Sequence, residues 1–115
     1  MKDPKSLIKR ILEFREKRDW KQFHNPKDLS LSLVLEATEV MEHFQWKNGK
    51  ELEEYVAIKK DDIGEDLADT LYWILLLSHD LGINVFDALD KKMDKSEEKY
   101  PVEKAKGNHR KYTEL

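Results

Sequence analysis

The sequence contains no cysteine among its 115 residues. Disulfides, thiolate metal sites and cysteine nucleophiles are therefore excluded, and this composition is compatible with a reducing compartment. Turn-forming residues are also few, with only four glycines and three prolines. Because a protein built from many short strands needs frequent turns, this composition favours an all-α fold.

Long apolar runs and an excess of basic charge are absent as well. The longest apolar run, Leu71–Leu77, is far shorter than the ~20 residues of a membrane-spanning helix. The net charge is −3, which disfavours nucleic-acid binding by the whole surface, and nothing after Met1 resembles a signal peptide. We expect one domain over residues 1–115, in a cytoplasmic protein that binds neither membranes nor nucleic acid.

The first half of the chain has the apolar spacing of two helices. Asp3 followed by Pro4 is a plausible N-cap and first helical residue, and this helix is predicted to run to about Trp20. After a polar break, Asp28 is the predicted N-cap of a second helix that ends near Trp46.

The second half of the chain is predicted to contain two further helices. Residues 51–62 form a short helix or a loop, and a long helix follows over about 61–81. That helix is apolar on all sides, which predicts that it is buried, and Gly82 closes it. Asn84 is the predicted N-cap of the last helix, and residues 102–115 are a polar tail.

Two pairs of acidic residues lie three residues apart on the two most apolar helices. Glu36 and Glu39 share one helix face, and so do Asp66 and Asp69. Four carboxylates brought together repel one another unless a cation lies between them, and Mg²⁺ prefers oxygen ligands. The alternative is a solvated acidic face, because an acid-rich chain forms several such pairs by chance.

The histidine spacing argues against a di-iron bundle, which needs Glu-x-x-His on two helices. No histidine of this chain follows a glutamate at that spacing. The histidines are interpreted as surface or packing residues, except His24, which lies between two aromatic residues and a proline turn and stays a candidate.

Aromatic and basic residues suggest how a nucleotide could bind. Trp46 and Trp73 are predicted to lie near the acidic pairs, where an aromatic plane can stack a base, although core packing is the alternative. Residues 91–111 carry eight Lys or Arg against four acids. They are either a clamp for a polyphosphate or a solvated helix and tail.

These residues resemble the all-α MazG-like nucleotide pyrophosphohydrolases, and most closely the dCTP pyrophosphatase branch. Glu36-Ala37-Thr38-Glu39 resembles the Glu-x-x-Glu motif of the family, and Asp66-Leu67-Ala68-Asp69 is similar to its Glu-x-x-Asp motif. Asp66 is one methylene shorter than the family's Glu, which makes Glu65 an alternative ligand. Segments 19–24, 99–102 and 110–113 are similar to that branch.

The resemblance implies a four-helix-bundle-like fold and Mg²⁺-dependent hydrolysis of a nucleoside triphosphate, dCTP or a modified dCTP, to the monophosphate and pyrophosphate. It assigns Mg²⁺ to Glu36, Glu39, Asp66 and Asp69, with Glu36 and Glu39 also catalytic. The residues it assigns to substrate binding are Trp20, His24, Trp46, Lys92, Lys99, Tyr100, Arg110 and Lys111. Trp73 is added because it lies seven residues after Asp66, although a tyrosine is usual at this position in the branch.

The oligomeric state follows from the same resemblance and from the apolar faces of the second and third helices, which exceed what one small chain can cover. We expect a homo-oligomer, at least a dimer, and the family favours a tetramer. Two alternatives to the predicted activity stay open: hydrolysis of dUTP, as in related all-α dUTPases, and a non-catalytic helical interaction module.

Overall fold

A computed structural model describes residues 3–115, and within that range the chain is helical and contains no strand. The all-α prediction is confirmed. No helix in the described range is long and apolar enough to cross a membrane. The α-helices are α1 (Pro4–Lys17), α2 (Pro26–Phe44), α3 (Gly49–Ile58), α4 (Lys60–Asp80), α5 (Val85–Lys99) and α6 (Val102–Ala105), and one-turn 3-10 helices cover Lys21–Phe23 and Tyr112–Glu114.

The chain forms two compact units, one that ends at Gly82 and one over Ile83–Leu115. The first unit contains α1 to α4, and the second contains α5, α6 and the last 3-10 turn. Gly82 follows α4 with a φ of 69°, a left-handed conformation that glycine adopts without a steric penalty. This agrees with its predicted role in closing the helix.

Capping side chains fix where α1 and α2 begin. The Asp3 carboxylate accepts the backbone N–H of Ser6 at 2.9 Å, as its position before Pro4 predicts. The predicted N-cap of α2 was wrong. Asn25 is the N-cap, because its side chain accepts the N–H of Asp28 at 2.9 Å. Asp28 instead lies in the first turn, where a carboxylate interacts favourably with the helix dipole.

Three predicted boundaries differ from the structure. Helix α1 ends at Lys17, before Trp20. Helix α2 ends at Phe44, and Trp46 has a φ of 70°, which is incompatible with helix continuation. The segment predicted as a short helix or a loop is mostly helical, because it overlaps α3, which begins two residues earlier at Gly49.

The core of the first unit lies where α2 packs against α4. Leu29 on α2 and Leu75 and Leu76 on α4 are buried. The prediction that α4 is buried on all sides was wrong, because Leu67 and Leu71 are about half exposed. Leu67 and Leu71 lie between the buried Ile63 and Leu75 along one side of the helix, so this side is only partly covered within the chain.

The second unit begins with α5, whose N-cap is Asn84 as predicted. The Asn84 side chain accepts the N–H groups of Phe86 and Asp87. The predicted polar tail contains α6 and the 3-10 turn. The rings of Tyr100 and Tyr112 pack edge to face there, with centroids 6.0 Å apart.

Candidate functional site

A cleft of about 540 Å³ lies in the first unit and is lined by residues of α1, α2 and α4. Glu36 on α2 and Asp69 on α4 bring carboxylates to a wall that is otherwise largely aromatic and apolar. Trp73 is four residues beyond Asp69 on the same helix face, and Trp20 also lines the cleft. The other lining residues are Leu7, Arg10, Ile11, Phe14 and Tyr72. An apolar wall with a few charged groups is typical of a small-molecule site.

Glu36 is the electrostatic centre of the acidic residues. Burial raises the pKa of its carboxyl above the usual value, and the nearby carboxylates of Glu39, Asp69 and Asp66 raise it further. Its Oε2 atom is buried and has no hydrogen-bond partner among residues 3–115. A buried oxygen without a donor is costly, so this position is suited to a cation.

The other two predicted ligands, Glu39 and Asp66, line a second hollow of about 290 Å³ with Glu42, His43 and Tyr55. Nδ1 of His43 is 2.7 Å from the Tyr55 hydroxyl, and Nε2 makes a short hydrogen bond to Oδ2 of Asp66. The predicted acidic residues are thus divided, with Glu36 and Asp69 in the cleft and Glu39 and Asp66 in the hollow.

The four acids fit a hard divalent cation by their chemistry. In the described range, no three or more His, Asp and Glu side chains are grouped as metal ligands. All of the donors are carboxylate oxygens, which Mg²⁺ prefers, and one of them is the buried Oε2 of Glu36. The donor set therefore fits Mg²⁺ rather than a soft metal.

The predicted aromatic residues occupy different environments. The His24 ring packs edge to face on Trp73, with centroids 5.7 Å apart, and Trp20 packs in the same way on Phe14 at 5.6 Å. Trp46, by contrast, is 87 % exposed beyond the end of α2. Trp46 is therefore not a core residue of this chain. It lies after the end of α2, so helical spacing from Glu39 does not predict its position.

A buried ion pair lies next to His24, which does not line the cleft itself but packs on the lining residue Trp73. The guanidinium of Arg15, which is only 4 % exposed, donates two hydrogen bonds to the Asp80 carboxylate at 2.7 and 2.8 Å. Nη1 of Arg15 also lies 3.5 Å from Nδ1 of His24. Burial lowers the pKa of His24, and the positive charge of Arg15 lowers it further. Both effects favour the neutral imidazole.

Comparison with known proteins shows to which family the chain belongs. The family described as MazG-like matches residues 31–115, which include all four acids. The chain belongs to the MazG-like family.

Several relatives of this MazG-like chain are known. It is 36 % identical to dCTP pyrophosphatase 1 of Mus musculus and 37 % identical to dCTP pyrophosphatase 1 of Homo sapiens, each over 105 residues and 90 % of this chain. The chain spans 62 % of the length of these curated relatives. A crystal structure of a pyrophosphatase from Archaeoglobus fulgidus superposes with a TM-score of 0.80 at 37 % identity, covering 84 % of this chain and 91 % of that one.

The predicted phosphate-binding residues of the MazG-like chain all lie in the second unit. Lys92 and Lys99 are on α5, and Tyr100 follows that helix. Lys99 places its ammonium 4.7 Å from the ring centroid of Tyr112, which is a cation–π contact. Arg110 and Lys111 lie just before the last 3-10 turn, and the backbone N–H of Arg110 donates to Asn108.

The sequence interpretation of the MazG-like chain missed the contacts of His43. The sequence predicts a surface or packing histidine at this position, whereas in the structure His43 joins Tyr55 to Asp66. A signal was present, since His43 follows Glu36 by seven residues and Glu39 by four, a spacing that puts all three on one helix face. The ion pair of Arg15 with Asp80 had no such signal, because 65 residues separate its partners.

Proposed function

We propose that this chain is an Mg²⁺-dependent nucleoside triphosphate pyrophosphohydrolase that acts on dCTP or a modified dCTP. The observation that carries the proposal is the cleft in which Glu36 and Asp69 face Trp20 and Trp73. Carboxylates suited to Mg²⁺ beside aromatic planes suited to a base match the chemistry of a metal-bound nucleotide. The names of the relatives, dCTP pyrophosphatase and pyrophosphatase, agree with it.

In this proposal Glu36, Glu39, Asp66 and Asp69 hold the metal ion. The support is their shared donor chemistry and the effect of the other three charges on the pKa of Glu36. When bound, Mg²⁺ neutralises phosphate oxygens and the charge that develops during hydrolysis. An acidic cleft otherwise repels a triphosphate, so this neutralisation is also required for binding.

The reaction breaks the bridge between the α and β phosphates. The oxygen of a water molecule bonds to one phosphorus of that bridge, and the bond from the same phosphorus to the bridging oxygen breaks. The carboxylate of Glu36 or Glu39 accepts the proton of the attacking water as general base. The products are the nucleoside monophosphate and pyrophosphate.

The rest of the substrate is assigned by chemistry. Trp20, His24, Trp46 and Trp73 bind the base, because aromatic faces stack on it and a neutral imidazole can form a hydrogen bond with it. Lys92, Lys99, Tyr100, Arg110 and Lys111 bind the phosphates, because ammonium, guanidinium and phenol groups donate to phosphate oxygens. Residues 1–115 would then serve as one catalytic domain, and the cytoplasm, where nucleotide pools are used, is the expected location.

We further propose that the active form is a homo-oligomer, a dimer or a tetramer, with a four-helix-bundle-like arrangement. Helix α2 exposes Leu31, Val34 and Leu35, each more than half accessible, and α4 exposes Leu67 and Leu71. Apolar faces of this extent on two adjacent helices are typical of a contact between subunits.

A panel of nucleotides tests the proposed substrate. Initial rates are measured for the four common deoxynucleoside triphosphates and dUTP, each with and without Mg²⁺. We expect turnover only with the metal and the highest kcat/KM for dCTP. If kcat/KM is highest for dUTP, the protein is a dUTPase instead. Absence of turnover, together with Mg²⁺-independent stability, would indicate a non-catalytic interaction module.

A further inference from the structure

Three helices of the first unit are joined by one chain of hydrogen bonds. The Asp66 carboxylate belongs to α4, the His43 ring to α2 and the Tyr55 hydroxyl to α3. Nε2 of His43 meets Oδ2 of Asp66, and Nδ1 is 2.7 Å from the Tyr55 oxygen. The side chains of His43 and Asp66 are mostly buried, at 13 % and 24 % exposure.

The donors in this chain follow from the chemistry of each group. An ionised carboxylate can only accept, so Nε2–H of His43 donates to Asp66. On the other side of the ring, Nδ1 and the Tyr55 hydroxyl form the second hydrogen bond. Both ring nitrogens of His43 have a hydrogen-bond partner, so the imidazole is held from both sides.

We propose that His43 is a positioning residue that, with Tyr55 behind it, orients the Asp66 carboxylate for metal binding. This inference rests on the proposed function, in which Asp66 is a ligand. Partners of metal ligands fix ligand orientation, and their loss typically weakens metal affinity by about 10- to 100-fold. Aspartate has one methylene fewer than glutamate. The carboxylate of Asp66 therefore has a shorter reach toward a metal ion.

A purely structural role is the competing explanation. The same hydrogen bonds tie α2 and α3 to α4, and His43 also packs on Phe44 and Tyr55, with ring centroids 6.2 and 5.8 Å away. In that case substitution lowers the melting temperature of the metal-free protein but leaves the affinity of the folded protein for metal unchanged. Metal affinity and metal-free stability must therefore be measured separately.

The experiment titrates MgCl₂ into wild type and variants by isothermal titration calorimetry, well below each melting temperature. His43→Leu keeps the size of the side chain and removes both hydrogen bonds. His43→Gln restores an N–H donor for Asp66, and Tyr55→Phe removes only the hydroxyl. His79→Gln is the matched control, because it makes the same substitution at a histidine that lines neither the cleft nor the hollow.

We expect His43→Leu to raise the Kd for Mg²⁺ by about 10- to 100-fold and Tyr55→Phe to raise it by a smaller factor. His43→Gln should recover most of the affinity, and His79→Gln should match wild type. An unchanged or lower Kd in His43→Leu overturns the inference. If that variant does not fold, Tyr55→Phe decides: a raised Kd supports the inference and an unchanged one overturns it.

The same titration separates this inference from the function on which it rests. If wild type and the variants bind Mg²⁺ equally well, the role of His43 is contradicted and the proposed metal site is not. Wild type that binds no Mg²⁺, alone or with dCTP present, overturns both.

Discussion

Single carboxylates carry the proposed metal site, and neutralising one of them tests that role. Glu39→Gln and Asp69→Asn keep the side-chain size and remove one charge each. We expect kcat to fall by on the order of 100-fold or more, because charge stabilisation at the reacting phosphates is lost. The melting temperature of the metal-free protein should stay equal or rise, since repulsion around Glu36 is relieved. Near-normal turnover in either variant would remove that residue from the site.

Trp46 offers a second test with one side chain. Stacking on a base is largely uniform binding worth ~1–3 kcal/mol, so Trp46→Ala should raise KM more than it lowers kcat. Because the residue is 87 % exposed, little change in the melting temperature of a single chain is expected. Steady-state kinetics and thermal melts check both points. A fall in kcat with KM unchanged would contradict a role in base binding.

The sequence predicted local relations among residues better than distant ones. Helical spacing indicated that Asp69 and Trp73 share a face, and both line the cleft. It placed Trp46 on α2 wrongly, because the positive φ at that residue depends on the loop that follows the helix. The contact of His43 with Asp66 spans 23 residues. Such a contact depends on how α2 packs against α4, which spacing within one helix does not determine.

At the scale of elements, the ion pair of Arg15 with Asp80 joins α1 to α4. Asp80→Ala leaves the guanidinium, only 4 % exposed, without its partner. Leaving one charge of a buried pair uncompensated costs about 3–5 kcal/mol, so the free energy of unfolding should fall by that order. The double variant Arg15→Met with Asp80→Leu should lose less than the single one. Urea unfolding measures both; a single variant as stable as wild type would contradict the role of the pair.

The same ion pair gives the stability a predicted pH dependence. Its hydrogen bonds with Arg15 lower the pKa of Asp80 below the usual 3.8, and burial lowers that of His24 below 6.5. In both cases the unfolded chain binds more protons, so stability falls as the pH falls. The His24 contribution is lost first, below pH 6.5, and that of Asp80 only below about pH 3.8. Melting curves of wild type and His24→Asn against pH test this, and parallel curves from pH 7 to 5 would contradict it.

At the scale of the whole molecule, the exposed apolar faces predict self-association. Light scattering coupled to gel filtration should give a mass at least twice the 13.7 kDa of one chain. Leu35→Gln on the exposed face of α2 should shift the mass toward one chain, and the exposed Lys50→Gln is the control. A wild-type species of 13.7 kDa that keeps full activity would contradict the proposed oligomer.

The helical class of the whole chain was predictable from its scarcity of turn-forming residues and from apolar spacing, and the structure agrees. The exposure of Leu67 and Leu71 was not, because the composition of α4 shows that it is apolar all round but not which face another helix covers. The division of the acids between the cleft and the hollow depends on side-chain packing in the same way.

The position of the broken bond tests the proposed function most directly. Wild-type protein is incubated with dCTP and Mg²⁺, and the products are followed by phosphorus nuclear magnetic resonance. Asp69→Asn, with its expected lower kcat, serves as the matched control. We expect dCMP and pyrophosphate in equal amounts, with no orthophosphate. The appearance of dCDP with orthophosphate, or unchanged dCTP with every preparation of folded protein, would contradict it.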